Sequence, residues 1–117
     1  MTEPSIVLYG IKNCDTVKKA RKWLEKNTVE YRFHDFREDG MDSVPLKEWL
    51  DEFGWPQVLN RRSTSWRALD DGQKEAMDNA TALALAGDTP TLIKRPVTVA
   101  GDSTLFGFRE ADFSELV

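Results

Sequence analysis

One cysteine carries most of the chemistry this sequence offers. Cys14 lies in residues 9–17, YGIKNCDTV, where a short apolar run gives way to an amphipathic pattern. A thiol at a helix N-terminus meets unpaired backbone N–H groups and the positive end of the helix dipole, which favour the reactive thiolate. A lone cysteine is otherwise a small buried hydrophobe. The neighbours Lys12, Asn13, Asp15 and Thr16 are all polar, unlike a core, so Cys14 is read as a nucleophile. No second cysteine stands nearby, so a mixed disulfide formed on Cys14 must be resolved by an outside thiol. His34, the sole histidine, falls at a strand end away from this stretch and receives no catalytic role. With so few soft ligands, no metal site is expected, and no bound cofactor either.

The remaining composition narrows the class. The 117 residues suffice for one domain with a core of its own, and 40% hydrophobic residues with four tryptophans point to a folded globule. Twenty acidic against sixteen basic residues give a net charge of -4, which argues against a nucleic-acid partner. The N-terminal stretch lacks a basic region and a long apolar run, so no signal peptide is expected. No window approaches the roughly twenty apolar residues that span a bilayer. A cytoplasmic, monomeric protein without membrane or nucleic-acid partners is the expectation, consistent with a reduced thiol.

Cys14 must be positioned by the elements around it. Residues 5–9, SIVLY, read as a buried strand ended by Gly10. Val17, Ala20, Trp23 and Leu24 recur at helical spacing from Asp15 to Asn27, with Lys18, Lys19, Lys22, Glu25 and Lys26 as a solvated face. Val29, Tyr31 and Phe33 alternate with polar residues as a second strand. This is a βαβ unit with parallel strands. Residues 35–43 read as a loop, and a helix runs from near Pro45 to Phe53 before Gly54. Trp55-Pro56 should break the chain, residues 60–65 form a loop, Trp66 to Leu69 one helical turn, and Asp70-Asp71-Gly72 its end. Residues 73–77 are a helical fragment. Asn79 is the expected N-cap of a helix through Ala86, with Gly87 as its stop. Residues 91–94 and 97–99 read as strand, residues 100–103 as a hairpin turn, residues 104–106 as the return, and residues 110–116 as a closing helix with Phe113 and Leu116 inward. The pieces bury best as an α/β fold: a four-stranded mixed sheet with helices on its faces.

That order resembles the thioredoxin-like fold, with a helical insertion at about residues 40–87 between the β-α-β and β-β-α parts of one domain. The stretches YGIKNCDTVKKARKWLE, NRRSTSWR, PTLIKRPV and LFGF narrow the resemblance to the arsenate reductase family. The likeness is greatest to its YffB-like branch of single-cysteine, glutathione-dependent thiol reductases. It implies that Cys14 is the catalytic cysteine, that Arg95 contacts the anionic reactant, and that Pro96 is a cis-proline facing the thiol. Arg62 fits the branch pattern Asn-x-Arg-x-Thr-x-Trp, with Arg61 as the alternative, and Arg109 falls near a third arginine of the arsenate reductases. Lys12 and Asn13 complete the expected glutathione-binding set.

The guanidinium groups offer planar forks suited to the carboxylates of glutathione or to an arsenate oxyanion. Lys12, Arg95 and one of Arg61 or Arg62 would favour the thiolate, while Asp15 opposes them or simply complements the helix dipole. Asp15 replaces a glycine usual in arsenate reductases, and its carboxylate would repel arsenate. The expected activity is glutathione-dependent thiol-disulfide exchange, with glutathione as co-substrate and glutaredoxin as a further partner. The alternatives are arsenate reduction and a non-catalytic role like the Spx regulators that bind RNA polymerase. Val17 fills the position where those regulators commonly carry a second cysteine.

Overall fold

The computed structural model describes residues 5–116. The chain divides into two compact units, Met1–Gly40 with Arg95–Val117, and Met41–Lys94.

The first unit is built on a sheet of β1 (Ile6–Gly10), β2 (Arg32–Asp35), β3 (Val97–Ala100) and β4 (Ser103–Phe106), in the order β2-β1-β3-β4. β1 runs parallel to β2 and antiparallel to β3, so the sheet is mixed as expected. β3 and β4 form a hairpin in which Ala100 pairs with Ser103 across Gly101-Asp102, and Gly101 takes the positive φ of 60° that such a tight turn demands. Register aligns Phe33, Leu8, Thr98 and Leu105 on one face. Against that face pack Val17, Ala20 and Leu24 of α1 (Asp15–Lys26) and Phe113 of α7 (Glu110–Ser114), all fully buried. Trp23 and Phe108 stand edge-on to Phe113 with ring centroids 5.6 and 4.8 Å away. α1 approaches β1 closely at Gly10: a Cβ there would lie 2.7 Å from Val17 Cγ2.

The second strand begins later than the alternation of Val29, Tyr31 and Phe33 suggests, because the end of α1 claims the residues before it. Val29 N–H donates to the Leu24 carbonyl (2.9 Å) and Thr28 N–H to that of Glu25 (3.1 Å), while Thr28 takes a φ of 58°. That is a Schellman closure with threonine where glycine is favoured. The strand is shifted to Arg32–Asp35, and His34 lies not away from residues 9–17 but buried and paired in register with Tyr9. Its ring lies 5.2 Å from that of Tyr9, and its Nε2–H donates to the Gly40 carbonyl (2.8 Å).

The second unit is helical: α2 (Leu46–Phe53), α3 (Trp55–Val58), α4 (Thr64–Arg67), α5 (Asp71–Glu75), α6 (Asn79–Asp88) and a 3-10 turn, Pro90–Leu92. Several boundaries differ from the sequence reading, among them the turn read at Trp66 to Leu69, which forms at Thr64–Arg67 because Ser63 caps it. Pro56 does not break the chain but sits in the first turn of α3, where its missing N–H costs nothing. Asp70 starts a helix instead of ending one, forming a capping box with Gln73. Asp78, not Asn79, caps α6, and Gly87 lies inside it. Asn79 is used differently: Oδ1 accepts from Trp55 N–H and Nδ2–H donates to the Leu50 carbonyl, both at 3.0 Å, tying α2 to α3. Residues 91–94 make no strand, since Pro90 opens a 3-10 turn and only Ile93 bridges, to Leu59. No helix among the described residues is long and apolar enough to cross a membrane.

Candidate active site

The sheet register gathers several chain segments at one end of the first unit. β1 runs out at Gly10 opposite Asp35, and Tyr9 pairs with Val97, which in turn pairs with Phe106. The turn leading to Cys14, the turn after β2, the Arg95–Pro96 bond and the segment Gly107–Phe108–Arg109 therefore all leave the sheet at the same end. The Arg95–Pro96 bond is cis, as the resemblance implies, and the Pro96 carbonyl accepts from Gly107 N–H (2.8 Å).

Cys14 is the N-cap residue of α1, with extended backbone (φ -102°, ψ 126°) and a half-buried side chain that accepts no capping hydrogen bond. Its N–H closes the preceding turn on the Ile11 carbonyl (3.2 Å), and its carbonyl accepts the first helical bond, from Lys18 (2.9 Å). As the N-cap residue, Cys14 directly precedes the first-turn amides and the positive helix end, a setting that stabilises negative charge. Asp15 and Thr16 follow as exposed first-turn residues, and Asp15 complements the dipole. Arg95 is half-buried, with no carboxylate partner among the described residues.

Sequence reasoning missed Asp35, which holds this turn in place. Its carboxylate is nearly fully buried; Oδ2 accepts from Lys12 N–H (3.0 Å) while Oδ1 accepts from Arg37 and Glu38 N–H (2.8 and 3.0 Å). Burial alone would raise the carboxyl pKa, but the three amide donors and the Lys12 ammonium outweigh it and hold it below the ordinary carboxylate value. The only signal was an aspartate closing a strand before a turn, and a run of charges masked it. Lys12, expected beside the thiol, instead pairs its ammonium with the exposed Glu38 carboxylate, and that contact raises its pKa. Asn13 is exposed in the turn, and Arg109 is the exposed N-cap residue of α7.

Arg61 and Arg62 belong to the second unit, in the turn before α4. There Asn60 Oδ1 accepts from Arg62 N–H (3.0 Å), and Ser63 caps the helix by accepting from Trp66 N–H (3.1 Å). The Arg61 guanidinium lies 5.8 Å from the Trp55 ring centroid, and that ring stacks on Trp66.

A model of the ArsC family matches residues 9–116, nearly the whole chain. The chain belongs to the ArsC family. Its structure is similar to that of a YffB protein, 47% identical, with a TM-score of 0.88 over 95% of this chain and 97% of the other. A solution structure of an arsenate reductase (ArsC) related protein from Brucella melitensis is 38% identical, with a TM-score of 0.79 over 98% and 96%. An uncharacterised protein of Haemophilus influenzae is 47% identical over 92% of this chain and 95% of its own. The fold of this ArsC-family chain is thus the thioredoxin-like one that the sequence suggested.

Proposed function

We propose that this ArsC-family protein is a thiol oxidoreductase that uses Cys14 as its single nucleophile and glutathione as the resolving thiol. The observation that carries the reading is Cys14 at the N-cap of α1, half-buried and without a capping bond, at the sheet end shared with cis-Pro96. The Cys14 thiolate attacks one sulfur of a glutathionylated substrate. The substrate S–S bond breaks, a Cys14–glutathione disulfide forms, and the substrate leaves as a thiolate that takes a proton from water. A second glutathione thiolate then attacks the bound glutathione sulfur, which releases Cys14 thiolate and oxidised glutathione. Glutaredoxin can serve as the second thiol donor.

Arg95 is the proposed anchor for a glutathione carboxylate, since a half-buried guanidinium with no carboxylate partner among the described residues gains a bidentate one. For Arg61, Arg62 and Arg109 the support is the family resemblance, and single alanine substitutions assayed for the glutathione KM decide among them. Cys14→Ser should abolish glutathione-coupled reduction of a glutathionylated protein while leaving the far-UV spectrum intact. Full activity in that variant would overturn the proposal. The name of the Brucella relative favours a second reading, arsenate reduction, in which Cys14 bonds to arsenic and glutathione resolves the adduct. The Asp15 carboxylate next to the thiol counts against it. Arsenate-dependent oxidation of glutathione by the pure protein with glutaredoxin tests that reading.

A further inference from the structure

Helix α1 carries charge opposite to that of the whole chain. Lys18, Lys19, Arg21, Lys22 and Lys26 stand against Asp15 and Glu25, in a chain whose net charge is -4. Arg21 is engaged, with its Nε–H donating to Tyr31 Oη (2.9 Å) and its guanidinium 4.2 Å from the Phe33 ring centroid. Lys19, Lys22 and Lys26 have no carboxylate partner among the described residues. These three lysines, with Trp23, Asn27, Phe108 and Glu110, line an open groove of about 510 Å3. Its aromatic lining is Trp23 and Phe108, both half-buried and both edge-on to the fully buried Phe113.

From this we infer that the groove between α1 and the Phe108–Glu110 segment docks an acidic peptide segment of a partner protein, anchored by one aromatic or branched apolar side chain. The volume suits one or two side chains rather than a folded face. The lysines sit at i, i+3 and i+7, which spreads three cations over about 10 Å of helix. A row of that length matches carboxylates distributed along a chain. Lysine ammonium groups are mobile point charges, and they lack the fork that grips a single phosphate bidentately. Glu110 on the other wall repels carboxylates, so the acidic residues of the segment lie along α1. The inference is independent of the redox reading of Cys14.

The test is fluorescence anisotropy of the whole protein with a fluorescein-labelled peptide rich in Asp and Glu around a central Phe-Leu pair. Binding should saturate and weaken with salt. It should fall at least about tenfold in the Lys19→Gln/Lys22→Gln/Lys26→Gln variant, which removes the cations without adding like charges to α1, with the melting curve as the fold control. Replacing Phe-Leu by Ser-Ser should also weaken it, and the Trp23 indole N–H resonance should shift on titration. Absence of saturable binding, or equal binding to the triple variant, would overturn the inference. So would equal affinity for tripolyphosphate or an oligothymidylate, or self-association that the triple variant abolishes without any peptide binding.

Discussion

Asp35 joins two turns through one buried carboxylate, and its removal should loosen the turn that carries Cys14. Asp35→Asn keeps the shape but offers a neutral amide where three N–H groups expect an anion. The expected loss is about 2–3 kcal/mol of folding stability, measured by urea unfolding. The pH dependence has a definite sign. Because the folded pKa lies below the unfolded value of about 3.9, the carboxylate stabilises fully above that value, and its contribution disappears as pH falls through the folded pKa. The gap between native protein and Asp35→Asn should therefore be constant above about pH 5 and shrink below it. A gap that stays constant into stronger acid would refute the role given to the charge.

At the scale of elements, α1 was legible because apolar residues at helical spacing, a strand before it and a polar turn all agreed. Its C-terminus was not, because Thr28 is a β-branched residue in a conformation that glycine normally supplies. Thr28→Gly should relieve that strain and raise stability by about 1 kcal/mol, visible as a higher thermal midpoint. The same ambiguity runs through the second unit. Asp70 and Asn79 are residue types that serve stops, caps and side-chain ties alike, so spacing could not say that Asp70 begins a helix or that Asn79 bridges α2 and α3. Residues 91–94 had the apolar content of a strand, yet Pro90 had already set a 3-10 turn.

For the molecule as a whole, the order of elements and the family stretches were enough to read the four-stranded mixed sheet and the cis bond at Arg95–Pro96. What escaped was whatever depends on contacts between segments distant in sequence: the anchoring role of Asp35, the pairing of Lys12 with Glu38, and the groove beside α1. The sheet order places β1 and β3 inside and β2 and β4 at the edges. Native-state amide exchange should be slowest at Leu8 and Thr98, whose residues are buried in the two inner strands, and faster along β4. Equal protection across β4 and β3 would show that this edge is covered in solution.

The missing side chain at position 10 lets the first turn of α1 lie close against β1. Val17 Cγ2 would lie only 2.7 Å from a Cβ of residue 10, and Cys14, the N-cap residue of α1, lies three residues before Val17. Gly10 thus acts as a spacer of zero thickness beneath the helix, and any larger residue becomes a shim that lifts its first turn. Gly10→Ala should cost about 1–3 kcal/mol and change the alkylation rate of Cys14 without touching the sulfur. An unchanged alkylation rate in Gly10→Ala would show that the first turn of α1 absorbs the added methyl without moving the thiol.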